Sequence, residues 1–464
     1  MNCRISSFKF QITNIRRCLS FCVLFVLLAS AVFSLSSCSW GNYYMVNFDE
    51  LPAATDNSMF RITSHHYTDM VAGAPQDCYL PDGTALSAWE DNEPDTVPHP
   101  QRASSVSGAG VVQALLDQVN GKSVIEISGI YESMDANGDA ITLSGKVLIP
   151  SNGKFDRYIL VSHYTIGSNK EAPSNSFPLE GLLCSMGYAV ICPDYIGYGI
   201  TADKIHPYLV MDLTAINVVD MFLAVRRYFD HVGLRPVHDD IYLMGYSQGG
   251  ATTMAVEYMI ESLYNEFLLD DHPIRIRRVF AGGGPYDVKA TYDRFVTTDC
   301  ADYPVAVPLV LQGMIHGNGL ELEMGSIMQP WLCDKIDEWV NSKKYTTAEI
   351  NTLIGTKVTH NMLTETGMNV QSKEVSELYK AMVQNSIISY AWEPQAPVYI
   401  LHSMDDETVT FLNATNAKHR WQNANIQYNF GHYGGHVKTC LRFILTVRTL
   451  LQEEKNDENV NYLN

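Results

Sequence analysis

From residue 157 to residue 284 the chain repeats one pattern: a short apolar run followed by a longer helix-like stretch. The apolar runs are RYILVSHY, YAVICPDY, DIYLMGY and RRVFAGGG. Between them lie PLEGLLCSMG, the stretch YLVMDLTAINVVDMFLAVRRYFD at 208–230, and ATTMAVEYMIESLYNEF. Compact apolar runs without alternation are what strands look like when both faces are covered. Their regular exchange with helices implies an α/β fold, a mostly parallel sheet covered by helices on both faces. Upstream, SVIEISGIYESM and AITLSGKVLIP flank the turn DANGD and read as a hairpin. A short helix is expected at Val111–Val119. Residues 289–395 break the alternation with helix-like segments, and the sheet resumes at PVYILHS and NIQYNF before a last helix, VKTCLRFILTVRTLLQEE. The expected organisation is a core in two parts, 111–288 and 396–464, with a helical cap inserted at 289–395.

The N-terminus carries a separate signal. Arg4, Lys9, Arg16 and Arg17 precede an apolar run at 18–34, and small residues follow, Leu35-Ser36-Ser37-Cys38. That order marks an export signal spanning 1–37. Its tail resembles a bacterial lipobox. The resemblance implies cleavage before Cys38, lipid on its sulfur, and a protein held on the bacterial cell envelope. Ser39, in place of a retaining Asp, favours the outer membrane. An uncleaved membrane anchor is the alternative, though the run is short for a span. Residues 38–110 read as an irregular tether and extension, part of which packs on the core because Trp40, Tyr43, Tyr44, Phe48 and Phe60 are costly to leave in water.

A net charge of −19 over 464 residues argues against nucleic acid as a partner, since phosphate binding needs a basic footprint. Six cysteines remain after Cys38: Cys78, Cys184, Cys192, Cys300, Cys333 and Cys440. None forms a CxxC pair, so a zinc site is not expected. Cys300 with Cys333 could bridge; equally, all six could be buried thiols. His65-His66 lacks further ligands, and no metal or organic cofactor is implied.

Gly245-Tyr246-Ser247-Gln248-Gly249-Gly250 fits G-x-S-x-G between a strand and a helix. Such a turn lifts the serine Oγ above the sheet, and the helix start behind it favours negative charge. A serine nucleophile needs a base and an orienting acid, which in this arrangement come later in the order acid, then histidine. Histidines after the late apolar run PVYILHS are His419, in the helix-like AKHRW, and His432 and His436, which flank Tyr433-Gly434-Gly435. His436 is favoured because the glycines free the loop and the last helix starts there; His432 is the rival. One oxyanion donor is the backbone N–H of Gln248. The other belongs in the loop after RYILVSHY, with Tyr164 favoured and Thr165 the alternative; His163 reads as a structural support. Gly282–Gly284 reads as close packing, and His316 as a cap residue.

Several blocks together resemble the α/β-hydrolase superfamily, and within it the secretory-lipase branch: HYTIG, MGYAVICPDYIGYGIT, HPYL with AINVVDMFLAVR, GYSQGG, then HSMDDETV and GGH. His402-Ser403-Met404-Asp405-Asp406-Glu407-Thr408-Val409 is similar to the family pattern His-Gly-x-x-Asp-x-x-Val. Laid on it, Asp406 is the acid, with Asp405 and Glu407 as rivals, and Ser403 stands where glycine is common. The resemblance spans about residues 123–450. It implies hydrolysis of an acyl ester through an acyl-enzyme on Ser247, Asp406 and His436. A serine peptidase of the same fold would use the same groups, but no charged feature for a peptide terminus stands out. A non-catalytic binding lipoprotein would have no need of the complete set.

Overall fold

The computed structural model describes residues 60–70, 77–89, 117, 119–265, 273–422 and 425–463. Nine strands form one sheet: β1 (Phe60–Met70), β2 (Lys122–Met134), β3 (Ala140–Pro150), β4 (Tyr158–Ser162), β5 (Ala189–Pro193), β6 (Ile241–Tyr246), β7 (Ile276–Gly282), β8 (Val398–Ser403) and β9 (Ile426–Gly431). Their spatial order is β1-β2-β3-β5-β4-β6-β7-β8-β9. The pairs β1/β2, β2/β3 and β3/β5 are antiparallel, and every pair from β5/β4 to β8/β9 is parallel. The expected α/β fold is therefore present, and the hairpin closes as read: Val124 stands opposite Pro150 and Met134 opposite Ala140. Asp135 Oδ1 pins its turn by accepting N–H bonds from Asn137 and Asp139.

All residues of β4, β5 and β6 are buried. Successive side chains go to opposite faces, and the faces carry separate cores. Tyr158, Leu160, Ile241 and Leu243 join one core, which also holds helices α1 (Met211–His231) and α2 (Gln248–Met259). Ile159, Val161, Tyr242, Met244 and Tyr246 join the other, under the last helix, which supplies Cys440, Leu441, Phe443, Ile444 and Val447. On α1 the buried residues Met211, Ala215, Val218, Phe222, Val225 and Phe229 recur at three- and four-residue steps, the stripe that seats a helix on a sheet.

Between β7 and β8 lies a run of helices, among them α3 (Val288–Thr298), α4 (Ala306–Gly317), α5 (Thr347–Ile354) and α6 (Lys373–Gln384). After β8 come α7 (Leu412–Arg420) and, after β9, α8 (His436–Leu463).

Three expectations need correction. Residues 60–70 are not irregular: they form β1, an edge strand whose Phe60 is fully buried beneath the sheet. Residues 77–89 belong to the part of the extension that packs on the core: Cys78, Leu80 and Leu86 are buried in the second core. The strand is hard to see in sequence because FRITSHHYTDM is polar at most positions, as an edge strand with one wet face can be. The segment PLEGLLCSMG is a run of 3-10 turns, Leu179–Met186, closed by Gly187 at φ 94°. Cys300 and Cys333 are unbridged thiols, as are the other four cysteines of the described residues. The expected helix at Val111–Val119, and Cys38 with the whole export signal, lie outside the described residues, apart from Asp117 and Val119.

Candidate active site

Every candidate group sits just beyond the C-terminal end of a parallel strand, where ligands bind in open α/β sheets. Tyr164 follows β4, Ser247 follows β6, Asp406 follows β8 and His436 follows β9. Ser247 has φ 58° and ψ −126°, a conformation that L-residues avoid. The turn is tight because two glycines permit it. A Cβ on Gly249 would lie 1.9 Å from the Ser162 carbonyl oxygen, and one on Gly245 would lie 2.2 Å from that of Gly249. Backbone crowding this close thus holds β4, β6 and α2 together and leaves the Ser247 side chain pointing away from the sheet into a cavity that it lines with His436.

His436 is the first residue of α8. Its Nε2 lies 2.8 Å from Ser247 Oγ and its Nδ1 lies 2.7 Å from Asp406 Oδ2. The Tyr246 hydroxyl donates to the His436 carbonyl at 2.7 Å, and Glu407 accepts the His436 backbone N–H at 3.1 Å. The histidine is therefore anchored on both sides of its Cα. Asp406 Oδ1 accepts the N–H groups of Thr408 and Val409, at 3.0 and 2.8 Å, which fixes the carboxylate with Oδ2 toward the imidazole. The sequence rivals pair with each other instead: His432 Nδ1 is 2.7 Å from Asp405, and both are exposed. His419 lies in the last turn of α7, exposed.

Ser403, the departure from the family pattern, ties the two loops together. Its Oγ donates to the Gly434 carbonyl at 2.7 Å and accepts the N–H groups of Tyr433 and Asp405, each at 3.1 Å. A glycine there would leave the acid loop and the histidine loop without this link.

Burial alone would pull the His436 pKa down; the charge and hydrogen bond of Asp406, with Glu407 and Asp82, outweigh it and raise it. Burial alone would push Asp406 up; His436, His402 and the Val409 N–H outweigh that and lower it. A general base works only when neutral; with His436 in that role, the acid limb of a kcat/KM–pH profile should fall above the ordinary histidine value. Glu407→Gln removes one of the charges that raise His436 and should move that limb to lower pH. A limb that stays put, or moves up, would show that Glu407 does not act on the base.

Gln248 opens α2, so its backbone N–H is among the helix-start donors with no helical partner. Its side-chain Nε2 is 2.8 Å from His206 Nε2, and His206 Nδ1 is 2.8 Å from the Ile196 carbonyl. Desolvation lowers the His206 pKa to about 3, so the ring is neutral and accepts from Gln248. His206 belongs to the HPYL block; nothing in the sequence tied it to the serine 41 positions later. The His163 ring nitrogens lie 2.6 Å from the Tyr164 carbonyl oxygen and 3.1 Å from that of Asp194, and the ring stacks on Tyr195, which seats it under the loop. The Tyr164 side chain turns to the Tyr79 carbonyl, whereas Thr165 lines the cavity beside Ser247 and His436. Pro81, Tyr208 and Tyr303 also line it, none of them singled out from the sequence.

The sheet, with its serine turn after a central parallel strand, defines an α/β hydrolase. The model of the secretory lipase family matches residues 176–442, and the chain belongs to that family; it is an ester hydrolase. Similar solved structures support the fold. The rice cell wall degrading esterase LipA from Xanthomonas oryzae shares 20% identity at a TM-score of 0.61, over 75% of this chain and 94% of that one. A putative hydrolase from Legionella pneumophila shares 19% at 0.62, over 75% and 95%. Candida antarctica lipase A shares 17% at 0.51, over 68% and 73%. No curated protein matches the chain in sequence.

Proposed function

We propose that the chain cleaves carboxylic esters through an acyl-enzyme on Ser247, with His436 as general base and acid and Asp406 as its orienting partner. The observation that carries this reading is the position of the His436 ring, 2.8 Å from Ser247 Oγ and 2.7 Å from Asp406. His436 takes the serine proton as Oγ attacks the ester carbonyl. Asp406 holds the tautomer with hydrogen on Nδ1 and stabilises the imidazolium. The tetrahedral oxyanion is received by the backbone N–H of Gln248 and by one from Tyr164–Thr165, Tyr164 being the expected donor and Thr165 the one that lines the cavity. His436 then protonates the departing alcohol, and water attacks the acyl-enzyme by the same route in reverse. The helices at 289–395 act as a cap over this site, on the core formed by 111–288 and 396–464.

The family is one of secreted enzymes, which favours export. The Leu35-Ser36-Ser37-Cys38 tail after an apolar run supports cleavage of 1–37 and a lipid on Cys38, holding the enzyme on the cell envelope, at the outer membrane where the host has one. Residues 38–59 then lead from the anchor to β1.

The test is covalent. Residues 39–464 treated with a fluorophosphonate should gain one adduct, mapped by peptide mass spectrometry to Ser247 and absent from Ser247→Ala. An adduct elsewhere, or none, would sink the mechanism. Equal turnover of a matched ester and amide would favour a peptidase instead.

A further inference from the structure

Among the described residues, neither the Gln248 nor the Thr165 backbone N–H has an acceptor. Gln248 follows Ser247 at the start of α2, and Thr165 lines the Ser247 cavity. The peptide that carries the Thr165 N–H is aimed by its own carbonyl. That Tyr164 oxygen lies 2.6 Å from His163 Nδ1, and a planar trans peptide points its N–H the opposite way. Both residues are also held by their side chains. Gln248 Nε2 is 2.8 Å from His206 Nε2, and Thr165 Oγ1 is 2.9 Å from the Tyr208 hydroxyl. All four residues are buried.

His206 and Tyr208 stand two residues apart on one short segment. The Tyr208 N–H donates to the His206 carbonyl at 2.8 Å, closing a tight turn about Pro207, whose ring fixes its φ. The inserted helices press on this segment. A Cβ on Gly313 of α4 would lie 2.2 Å from the Tyr208 carbonyl oxygen, and the Met211 N–H donates to Asn385 Oδ1 at 3.1 Å. His206 Nδ1 faces the Ile196 carbonyl, which puts the ring hydrogen there and leaves Nε2 to accept from Gln248. Burial first, and then the nearby Lys343 ammonium, keep the ring neutral. One braced segment therefore grips both residues whose N–H groups are spare.

Resting on the acyl-enzyme mechanism above, we infer that His206 and Tyr208 are positioning residues for the oxyanion donors, His206 acting through the Gln248 side chain and Tyr208 through that of Thr165, whose N–H is the second donor. A donor helps only when it is aimed at the place where negative charge develops. The Gln248 N–H leaves the strained Ser247 turn, and Thr165 lies in a loop outside any strand or helix. No hydrogen-bond ladder aims either group, so the side-chain ties do. Losing a whole donor costs about 10²- to 10³-fold in kcat. Losing the tie that aims one should cost part of that, about tenfold or more.

The experiment compares His206→Phe, Tyr208→Phe, Gln248→Met and Thr165→Val with the wild type, using circular dichroism to confirm folding. The readouts are kcat/KM on p-nitrophenyl acetate and Ki for trifluoroacetone. Ser247 Oγ adds to the ketone carbonyl and its proton passes to His436, so the hemiketal sets an oxyanion where the ester's would stand. His206→Phe and Tyr208→Phe should each lower kcat/KM at least tenfold and raise Ki by a similar factor, without moving the acid limb of the pH profile. Adding His206→Phe to Gln248→Met, or Tyr208→Phe to Thr165→Val, should change either readout less than twofold, because the tie is already cut. Tyr208→Phe removes one hydroxyl and keeps the ring, so it carries the test where His206→Phe fails to fold. Single variants within twofold of wild type overturn the inference. So does a loss of kcat/KM with Ki unchanged, or an equal further loss in the second background. Where the wild type gains a fluorophosphonate adduct on Ser247 yet leaves the acetate intact, the labelling rate replaces kcat/KM, with the same expected losses. A wild type neither labelled nor active overturns the mechanism, and this inference with it.

Discussion

His436→Ala should lower kcat roughly 10³- to 10⁶-fold on any ester the enzyme accepts, while His432→Ala stays within about twofold of wild type. The two histidines are four residues apart on one loop, so a sequence argument separates them poorly. Their surroundings separate them well. His436 is buried and its two ring nitrogens are both committed, one to Ser247 and one to Asp406. Without that ring the serine keeps its proton, and the Asp406 carboxylate is left buried opposite a void. His432 is half exposed and spends a ring nitrogen on Asp405, an equally exposed carboxylate. An exposed pair of this kind is worth little to stability. Steady-state kinetics on a short ester, with circular dichroism to confirm folding, decides the matter. Loss of activity in His432→Ala with retention in His436→Ala would reverse the assignment.

Gly249→Ala should destabilise the fold by about 3 kcal/mol or more, against a change within about 1 kcal/mol for Gly325→Ala. The new methyl at 249 would meet the Ser162 carbonyl oxygen at 1.9 Å and the His163 carbonyl oxygen at 2.7 Å. Both are backbone atoms at the end of a buried parallel strand, so neither can rotate aside. Relief requires α2 to move off β4, which would also shift Ser247 and the His163–Thr165 loop. The activity loss should therefore exceed what reduced stability alone explains. At Gly325 nothing lies within 4 Å, and alanine limits the unfolded chain more than it disturbs the folded one. Urea denaturation of both variants checks the contrast; equal midpoints would mean the strand and helix do not approach as closely as described.

Much of this was legible before any tertiary structure, for physical reasons that can be traced residue by residue. Strands buried on both faces must be apolar throughout, so YILVS, AVICP and IYLMGY announce themselves. A serine turn between strand and helix needs glycines where backbones meet, so Gly245 and Gly249 mark Ser247. Chain order then restricts the acid and base to the loops after β8 and β9. These are local requirements, and local requirements leave patterns.

The tertiary structure decided the non-local contacts. Asp405 and Asp406 are neighbours, and only the path of the loop turns Asp406 inward, under the N–H groups of Thr408 and Val409, and Asp405 out to His432. Ser403 looked like a lost glycine and joins the two loops that carry Asp406 and His436. His206 reaches Gln248 across 42 positions. Pro81 lines the serine's cavity from 166 positions upstream, inside an extension whose sequence shows that some part packs on the core but not which part. Contacts of this kind depend on the shape of surfaces that exist only after folding. A single chain written in order carries the chemistry of this site, and the packing of its distant parts decides how much room that chemistry has.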